Sequence, residues 1–543
     1  MAKQRRRTEP SPAKAAPAEV GIKAEMGEAL IRMYRQGLGD CFLLRLPRRD
    51  GGYFSIMIDC GVILGTKEPE PRMTAVVADI IKTTGGKVDM LVVTHEHWDH
   101  VSGFDQATGL FARKDEAAAG KLRVDKVWCA WTENEKDPLG IELRSGLQAL
   151  FGRVALQAQQ LHQFAAAAPA DKKAAAEDKA DAVANLLSFF GMEPDDAMLG
   201  LGAAGKVSKT KAALDIAKQL GPVSYHSPGE PPTQIKECDA HIYVLGPPRD
   251  IKMLRMTEPG QAGYHLADIG VNGTSLSSSP DDDDLPFEER FSLPLPTGPM
   301  DSPMQAPEDP YQFLWDHYLA DKVKEARTLR RTEAAGAIPG GSESDAGRPS
   351  DRVSRDVMVN QKWRRIEADD LENGADLALQ LDGATNNTSL VLAVELGDGG
   401  PVLLFVGDAQ AGNWLSWDAI TPWKVNGRTV TVDDLLARTV FYKVGHHGSH
   451  NATLKDRGLE KMTHDNLVAL VPVDRSMARR KRWNRMPLPS IIDTLKKMTG
   501  NRVALNEIDV PEGEEAVAFD FGAGFSRDAG GKLWYEIVVP ATK

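Results

Sequence analysis

Cysteine is nearly absent from this 543-residue chain. Its four cysteines, Cys41, Cys60, Cys129 and Cys238, form no close pair. That spacing excludes a disulfide framework and a cysteine-based zinc knuckle, and it points to a reducing compartment, the cytoplasm. No apolar run approaches a membrane span, and the start, MAKQRRRTEPSPAKAAPAEVG, is basic without the apolar core of a secretory signal. The expectation is a soluble protein with no membrane partner. Positive charge is not in excess either. A net charge of -12 argues against a protein that coats nucleic acid generally, while leaving room for a local basic patch. Residues 1–27 read as a disordered basic and Ala-Pro tail, with Arg5, Arg6 and Arg7 solvated rather than bound to phosphate. No internal repeat and no glycine-framed serine nucleophile is visible. Hydrophobic residues nevertheless make up 42%, enough to bury a sizeable core, so the chain as a whole is not a disordered protein.

What is present is concentrated in residues 91–103, LVVTHEHWDHVSG. The run Leu91, Val92, Val93 reads as a buried strand ending at Thr94. The cluster His95, His97, Asp99, His100 reads as the loop leaving it, before a helix that begins near Val101 to Gly103. Imidazole nitrogen and carboxylate oxygen together suit zinc, manganese or iron. The close spacing lets His95 and His97 face one ion, and Asp99 and His100 another. The alternative is a set of satisfied histidines, which is the weaker reading because each buried polar group would need its own partner.

The rest of the chain is organised around that stretch. Ala29 to Leu46 reads as strand, glycine turn, strand, and Tyr53 to Ile58 as another strand that ends in Asp59. Thr74 to Thr84 reads as a helix stopped by Gly85-Gly86, and Val124 to Trp131 as a strand. Strand, helix, strand with a polar cluster at the carboxyl end is an α/β layout, here the first half of a core over 28–140. Residues 141–220 are alanine-rich and read as two or three inserted helices, either a lid, a dimer contact or a solvated decoration. The core returns over 221–270 with HIYVLGPPRD. Residues 271–370 form a second insertion, Pro-rich and acidic with one helix, in which Asp281 to Asp284 is a solvated run in preference to a cation site. The second half of the core spans 371–543. Its first part, ADLALQLDGATNNTSLVLAVELGDGGPVLLFVGDA, reads as three consecutive strands. Phe441 to Val444 then delivers His446, His447 and His450 to a loop. Asn466–Val473, Leu488–Met498, Val503–Asn506 and Trp534–Val539 close the chain as strand, helix, strand and edge strand.

HEHWDH matches the His-x-His-x-Asp-His motif of the metallo-β-lactamase superfamily. GLGDCFLL, MIDCG, NNTSLVLAVEL and LLFVGDA resemble signatures of its ComEC-like branch, whose best-known members serve bacterial DNA uptake. The resemblance covers roughly Ala29 to Trp131 and Ala375 to Asp509. It implies an αββα sandwich, two mixed β-sheets flanked by helices, carrying two long insertions. It also implies a divalent-metal cofactor of one or two ions, zinc before manganese, on His95, His97, Asp99, His100, Asp408 and His447. Asp408 would bridge the ions through its two oxygens, and a metal-activated hydroxide would attack the substrate. Asp40 and Asp59 would orient ligands, plain turn aspartates being the alternative. Asp99, His446 and Asp40 are the candidate catalytic residues, with His446 assisting the leaving oxygen.

Two departures accompany the resemblance. Gly246 stands where ComEC-like chains carry a histidine that completes the first metal site, so His226 or His265 is a candidate replacement, unless water fills the gap or one ion alone binds firmly. Met486 to Pro489 stands where such chains carry His-Pro-His, and the preceding Arg479, Arg480, Arg482 and Trp483, with Ser449, are candidates for gripping phosphates and stacking a base. The expected activity is a metal-dependent phosphodiesterase or nuclease acting on DNA or RNA. The alternatives are hydrolysis of a small phosphoester or nucleotide signal, and a catalytically weak metal-binding scaffold. Insertions 141–220 and 271–370 are the candidate surfaces for a protein partner or self-association.

Overall fold

In this computed structural model the described residues are 27–114, 116, 119–167, 170–192, 208–259, 377–483, 485–507, 510, 524–528 and 530–540. The chain divides into two units, Met1–Ser277 with Asp370–Lys543, and Ser278–Asp369, and every described residue belongs to the first. Residues 1–26, His265 and the second insertion, 271–370, lie outside the described residues.

The first half of the chain supplies β1 (Glu28–Tyr34), β2 (Phe42–Pro47), β3 (Tyr53–Ile58), β4 (Lys87–Val88), β5 (Met90–Val92), β6 (Arg123–Val124), β7 (Val127–Ala130) and β8 (Val223–His226). After these come β9 (Thr233–Ile235), β10 (Ala240–Gly246), β11 (Val391–Leu396), β12 (Val402–Phe405), β13 (Trp423–Val425) and β14 (Arg428–Val430). The last are β15 (Thr439–Lys443), β16 (Val468–Val471), β17 (Val503–Leu505), β18 (Phe525–Arg527) and β19 (Trp534–Pro540). They build one eight-stranded sheet, ordered β18-β19-β1-β2-β3-β5-β7-β8, and one seven-stranded sheet, ordered β17-β16-β15-β12-β11-β10-β9. Both are mixed. In the first, β3, β5, β7 and β8 are parallel neighbours; in the second, β12, β15, β16 and β17 are.

Strands that read as near-continuous apolar runs must be buried on both faces, and β11 illustrates how. Leu392, Val394 and Leu396 face a core between the sheets, which they share with Ile31, Phe42, Val92, Phe405 and Phe441. Val391 and Ala393 face a second core on the other side, with Trp414, Leu435, Ile491 and Leu495 from helices. A third core covers the outer face of the first sheet, where Val76, Val77 and Ile80 of α1 (Pro69–Thr84) and Val101 and Phe104 of α2 (Trp98–Gln106) meet Leu43, Met57 and Leu91. The result is two mixed sheets flanked by helices.

Several expectations need correction. α1 begins at Pro69 rather than Thr74, because a proline in the first turn costs no hydrogen bond. α2 begins at Trp98 with His97 as its N-cap, so Asp99 and His100 stand in its first turn and not in a preceding loop. The first of the three apolar runs after Ala375 is a helix over 377–386; Ala378, Leu381 and Ala384 bury at helical spacing while Leu379 and Gln380 are exposed. β19 is not an edge strand, since it pairs with β1 over its whole length and with β18 on its other side. The first insertion is a pair of helices, α3 (Pro138–Ala167) and α4 (Ala170–Leu187). The helix Lys209–Lys218, also assigned to that insertion, instead packs Ala213, Leu214 and Ala217 into the third core beside α2.

Candidate metal centre

The carboxyl ends of β3, β5, β12 and β15 converge, and outside the carboxyl ends of parallel strands is where α/β sheets commonly bind ligands. β3 leads to Asp59, β5 to His95 and His97, β12 to Asp408, and β15 to His446 and His447. Two glycines let the start of α2 lie against the turns beside it. A Cβ on Gly61 would stand 2.4 Å from Asp99 O, and one on Gly39, at φ +144, would stand 2.7 Å from the same atom. Backbone bonds fasten the contact: Asp40 N–H donates to Asp99 O (3.0 Å) and Cys60 N–H to His100 O (2.8 Å). Thr94 O accepts from Leu390 N–H (2.9 Å), which ties the segment after β5 to the segment before β11 in the other sheet. Asp59, His446 and His447 adopt φ of 54, 41 and 53. Non-glycine residues in that region cost energy, and they gather where a site over-determines them.

Asp99, His100, Asp408 and His447 are wholly buried, and one ligand atom of each lies within 4.8 Å of all the others. His447 Nε2 is 2.8 Å from Asp99 Oδ2 and 3.4 Å from Asp408 Oδ2, and His100 Nε2 is 3.2 Å from Asp408 Oδ2. Nitrogen and oxygen atoms about 2.0–2.2 Å from one ion stand roughly 3–4 Å from each other. Asp408 Oδ2, His100 Nε2 and Asp99 Oδ1 have no hydrogen-bond partner, although buried polar atoms normally do. The donor set and its unpartnered atoms fit a divalent ion, and this buried group can hold one.

The far nitrogens are fixed. His100 Nδ1 bonds Asp59 Oδ2 (2.8 Å), and Asp59 in turn accepts from the Thr94 N–H (2.8 Å) and hydroxyl (2.7 Å). His447 Nδ1 donates to Pro472 O (2.7 Å). Burial opposes charge on His100 and His447, but the surrounding carboxylates, Asp408 foremost, outweigh it and raise both above the ordinary histidine range. His95 and His97 form a separate pair, with Nε2 of the first 3.1 Å from Nδ1 of the second. Here burial prevails, so His95 is held well below the usual value and His97 is pushed down to about 4.

Other sequence-derived assignments fare differently. His446 sends its ring away from the four-residue group, toward Gln410 Nε2 (3.2 Å) and Asn386 Nδ2 (3.4 Å), and burial lowers it to about 3. It is therefore neutral. Asp408 does not have two oxygens to share, because Oδ1 accepts from Lys443 Nζ (3.0 Å) and His446 N–H (3.1 Å), which leaves Oδ2. Asp40 is likewise engaged: its Oδ2 lies 2.6 Å from Lys443 Nζ, and burial, against the pull of Lys443, raises its carboxyl to about 6. His226 is not a replacement ligand, since its ring nitrogens face Ser224 Oγ (3.0 Å) and Glu230 Oε2 (3.3 Å) and its ring lies tilted against Trp128. Gly246 cannot be read as a histidine position left open toward the metal, for a Cβ there would stand 2.1 Å from Asn413 Oδ1. Ser449 donates to Asn451 Oδ1 (3.0 Å).

The basic-aromatic segment is also spoken for in part. Arg482 pairs with Asp181 of α4 (2.9 Å), and Trp483 stacks on Phe189 with ring centroids 4.7 Å apart and an 8° tilt. Arg479 and Arg480 are exposed at the end of the helix Arg475–Arg480. Phe189 and Phe190 follow α4 directly and pack on His97, with centroids 5.4 and 4.8 Å away. The first insertion thus walls the centre. Three polar participants escaped the sequence reading: Lys443, a lysine inside the apolar strand β15, and Asp382 and Asn386, which a helical reading of 377–386 would have put on one face.

No protein-family model and no curated protein matches this chain. Among the described residues no helix is long and apolar enough to cross a membrane.

Proposed function

We propose that this chain is a metal-dependent hydrolase of the metallo-β-lactamase type, acting on a phosphodiester. The observation that carries the reading is the buried convergence of Asp99, His100, Asp408 and His447 with ligand atoms left unpartnered. His95 and His97, with nitrogens 3.1 Å apart, would hold a second ion, with Asp408 beside them. Divalent ions bound there would supply Lewis acidity and lower the pKa of water. The protein's own residues do the rest. Asp59, Pro472 and the Thr94 and Ser389 hydroxyls fix the imidazoles, Lys443 neutralises Asp40 and Asp408, and the rings of Phe189, Phe190 and Trp483 exclude bulk water, which strengthens every charge interaction inside. His446 has both ring nitrogens engaged, Nδ1 by Gln410 and Nε2 by Asn386, and takes no part in these roles.

A small phosphodiester suits the site better than a polynucleotide. Trp483 has one face covered by Phe189, and Arg482 is engaged by Asp181, so the segment that would grip a nucleic-acid chain is partly committed to α4. The decisive experiment titrates zinc and manganese into metal-free protein while assaying a bis-aryl phosphodiester, cyclic dinucleotides, and single- and double-stranded DNA and RNA. Expected are uptake of two ions and metal-dependent cleavage of the small substrates, both abolished at the four-residue group by Asp408→Ala. Metal uptake without turnover of any phosphodiester would leave a metal-binding scaffold and refute the hydrolase.

A further inference from the structure

Three of the four histidines of the centre rest their far ring nitrogen on the protein. His100 rests on Asp59 and His447 on Pro472 O. His95 Nδ1 lies 3.1 Å from the Thr94 hydroxyl and 3.2 Å from that of Ser389. His97 is the exception: its Nε2 has no hydrogen bond of good geometry, Asp382 Oδ1 stands 3.9 Å away and is unpartnered too, and the side chain of Asn386, whose Oδ1 is also unpartnered, is the other polar group within reach of the ring. All three residues are buried.

We propose that Asp382 is the positioning residue of His97, accepting its Nε2–H so that Nδ1 presents a lone pair to the ion shared with His95. The proposal rests on the two-ion reading above and deepens it. A neutral imidazole carries one proton; if Nδ1 is the ligand, the proton sits on Nε2 and needs an acceptor in a place that water does not reach. Asp382 is held for that task. Its other oxygen accepts from Asn386 Nδ2 (3.0 Å), four residues on along the helix 377–386. The ring of His97 is clamped by Phe189 and Phe190, so a shift of about 1 Å by the carboxylate closes the bond to ordinary length.

The test uses the full chain and its Asp382→Asn and Asp382→Ala variants, loaded with cobalt and followed by d–d absorption and by competition with a chelator. In the wild-type chain two ions should bind. In Asp382→Ala the weaker ion should lose about 10- to 100-fold in affinity, with the cobalt spectrum of the tighter ion unchanged. Asp382→Asn, isosteric and still able to accept the bond through its amide oxygen, should stay closer to the wild-type affinity and guards against misfolding of the alanine variant. Two ions bound with wild-type affinity in both variants would overturn the assignment of Asp382 alone. A wild-type chain that binds only one ion would overturn it together with the two-ion reading.

Discussion

Asp59 accepts the Nδ1 hydrogen of His100 at 2.8 Å, and that bond turns His100 Nε2 toward Asp408 and Asp99. A carboxylate behind a ligand histidine fixes its tautomer and raises its basicity, and losing it commonly costs 10- to 100-fold in metal affinity. Asp59→Asn should therefore weaken the tighter ion by about that factor. Asp59→Ala should in addition strip the Thr94 N–H and hydroxyl of their acceptor, at roughly 1–3 kcal/mol each if they stay buried. Chelator competition and urea denaturation separate the two effects. Wild-type affinity in Asp59→Asn would remove Asp59 from the centre.

Proton linkage should be measurable in the metal-free protein. The folded-state pKa of His100 and of His447 is raised by their carboxylate neighbours despite burial. That stabilisation is fully present below the ordinary histidine pKa and is lost as pH rises through the folded values. Asp40, raised to about 6 by burial, has the same sign, since its folded form also prefers the proton. The melting temperature of chelated protein should fall as pH rises, first through about 6 as Asp40 ionises and further above the ordinary histidine value as His100 and His447 lose their protons. Ligand imidazoles must shed their protons to bind a metal, so metal affinity should rise over the same range. Calorimetry in buffers of different ionisation enthalpy should register the proton release. A metal affinity independent of pH would contradict the assignment of His100 and His447 as ligands.

Lys443 lies between Asp40 Oδ2 (2.6 Å) and Asp408 Oδ1 (3.0 Å) and also donates to Gly407 O. All three side chains are buried. Removing one partner of a buried ion pair typically costs 3–5 kcal/mol, because the other charge is left uncompensated. Lys443→Met should destabilise the metal-free protein by about that amount. Adding Asp40→Asn to it should recover part of the loss, and equilibrium denaturation of the two variants decides the matter.

The stack of Trp483 on Phe189 makes a wall of the first insertion. Phe189→Ala should lower stability by about 3–5 kcal/mol, the usual cost of removing a buried phenyl ring. It should also raise activity on bulky phosphodiesters relative to small ones. An unchanged ratio, measured with a series of leaving groups and chain lengths, would mean that substrate reaches the centre by another route.

The legible parts of this chain are those in which local pattern and tertiary role agree. β3 was readable to the residue from Tyr53 to Ile58, and the spacing of His95, His97, Asp99 and His100 marked the segment whose Asp99 and His100 meet Asp408 and His447, two positions supplied by the family resemblance. Asp59, which the sequence left as either an orienting group or a turn aspartate, bonds His100 Nδ1. The run 377–386 was misread because its apolar residues allow either period, and only the burial of Ala378, Leu381 and Ala384 distinguishes a helix. Asp382 was lost with it. Lys443 sits in a strand that is otherwise apolar, and nothing local shows that two carboxylates from β12 and the β1–β2 turn will meet it. Trp483 and Arg482 look like a nucleic-acid grip in isolation, and their commitment to Phe189 and Asp181 depends on where an insertion nearly 300 residues away folds back, the sequence separation of Arg482 and Asp181 being 301.

Asp99 and His447 stand 348 residues apart in sequence and 2.8 Å apart in space. An ion held by both closes that length of chain into a loop, as a cross-link would, and it does so reversibly. Because the entropy of closing a flexible loop grows only with the logarithm of its length, each doubling adds about 0.6 kcal/mol. The insertions between the two ligands can therefore lengthen or shorten at little cost to the clasp. Asp99 and His447 already meet through a hydrogen bond of their own, so an ion bound there would reinforce a fastening between the two halves of the chain that the hydrogen bond begins.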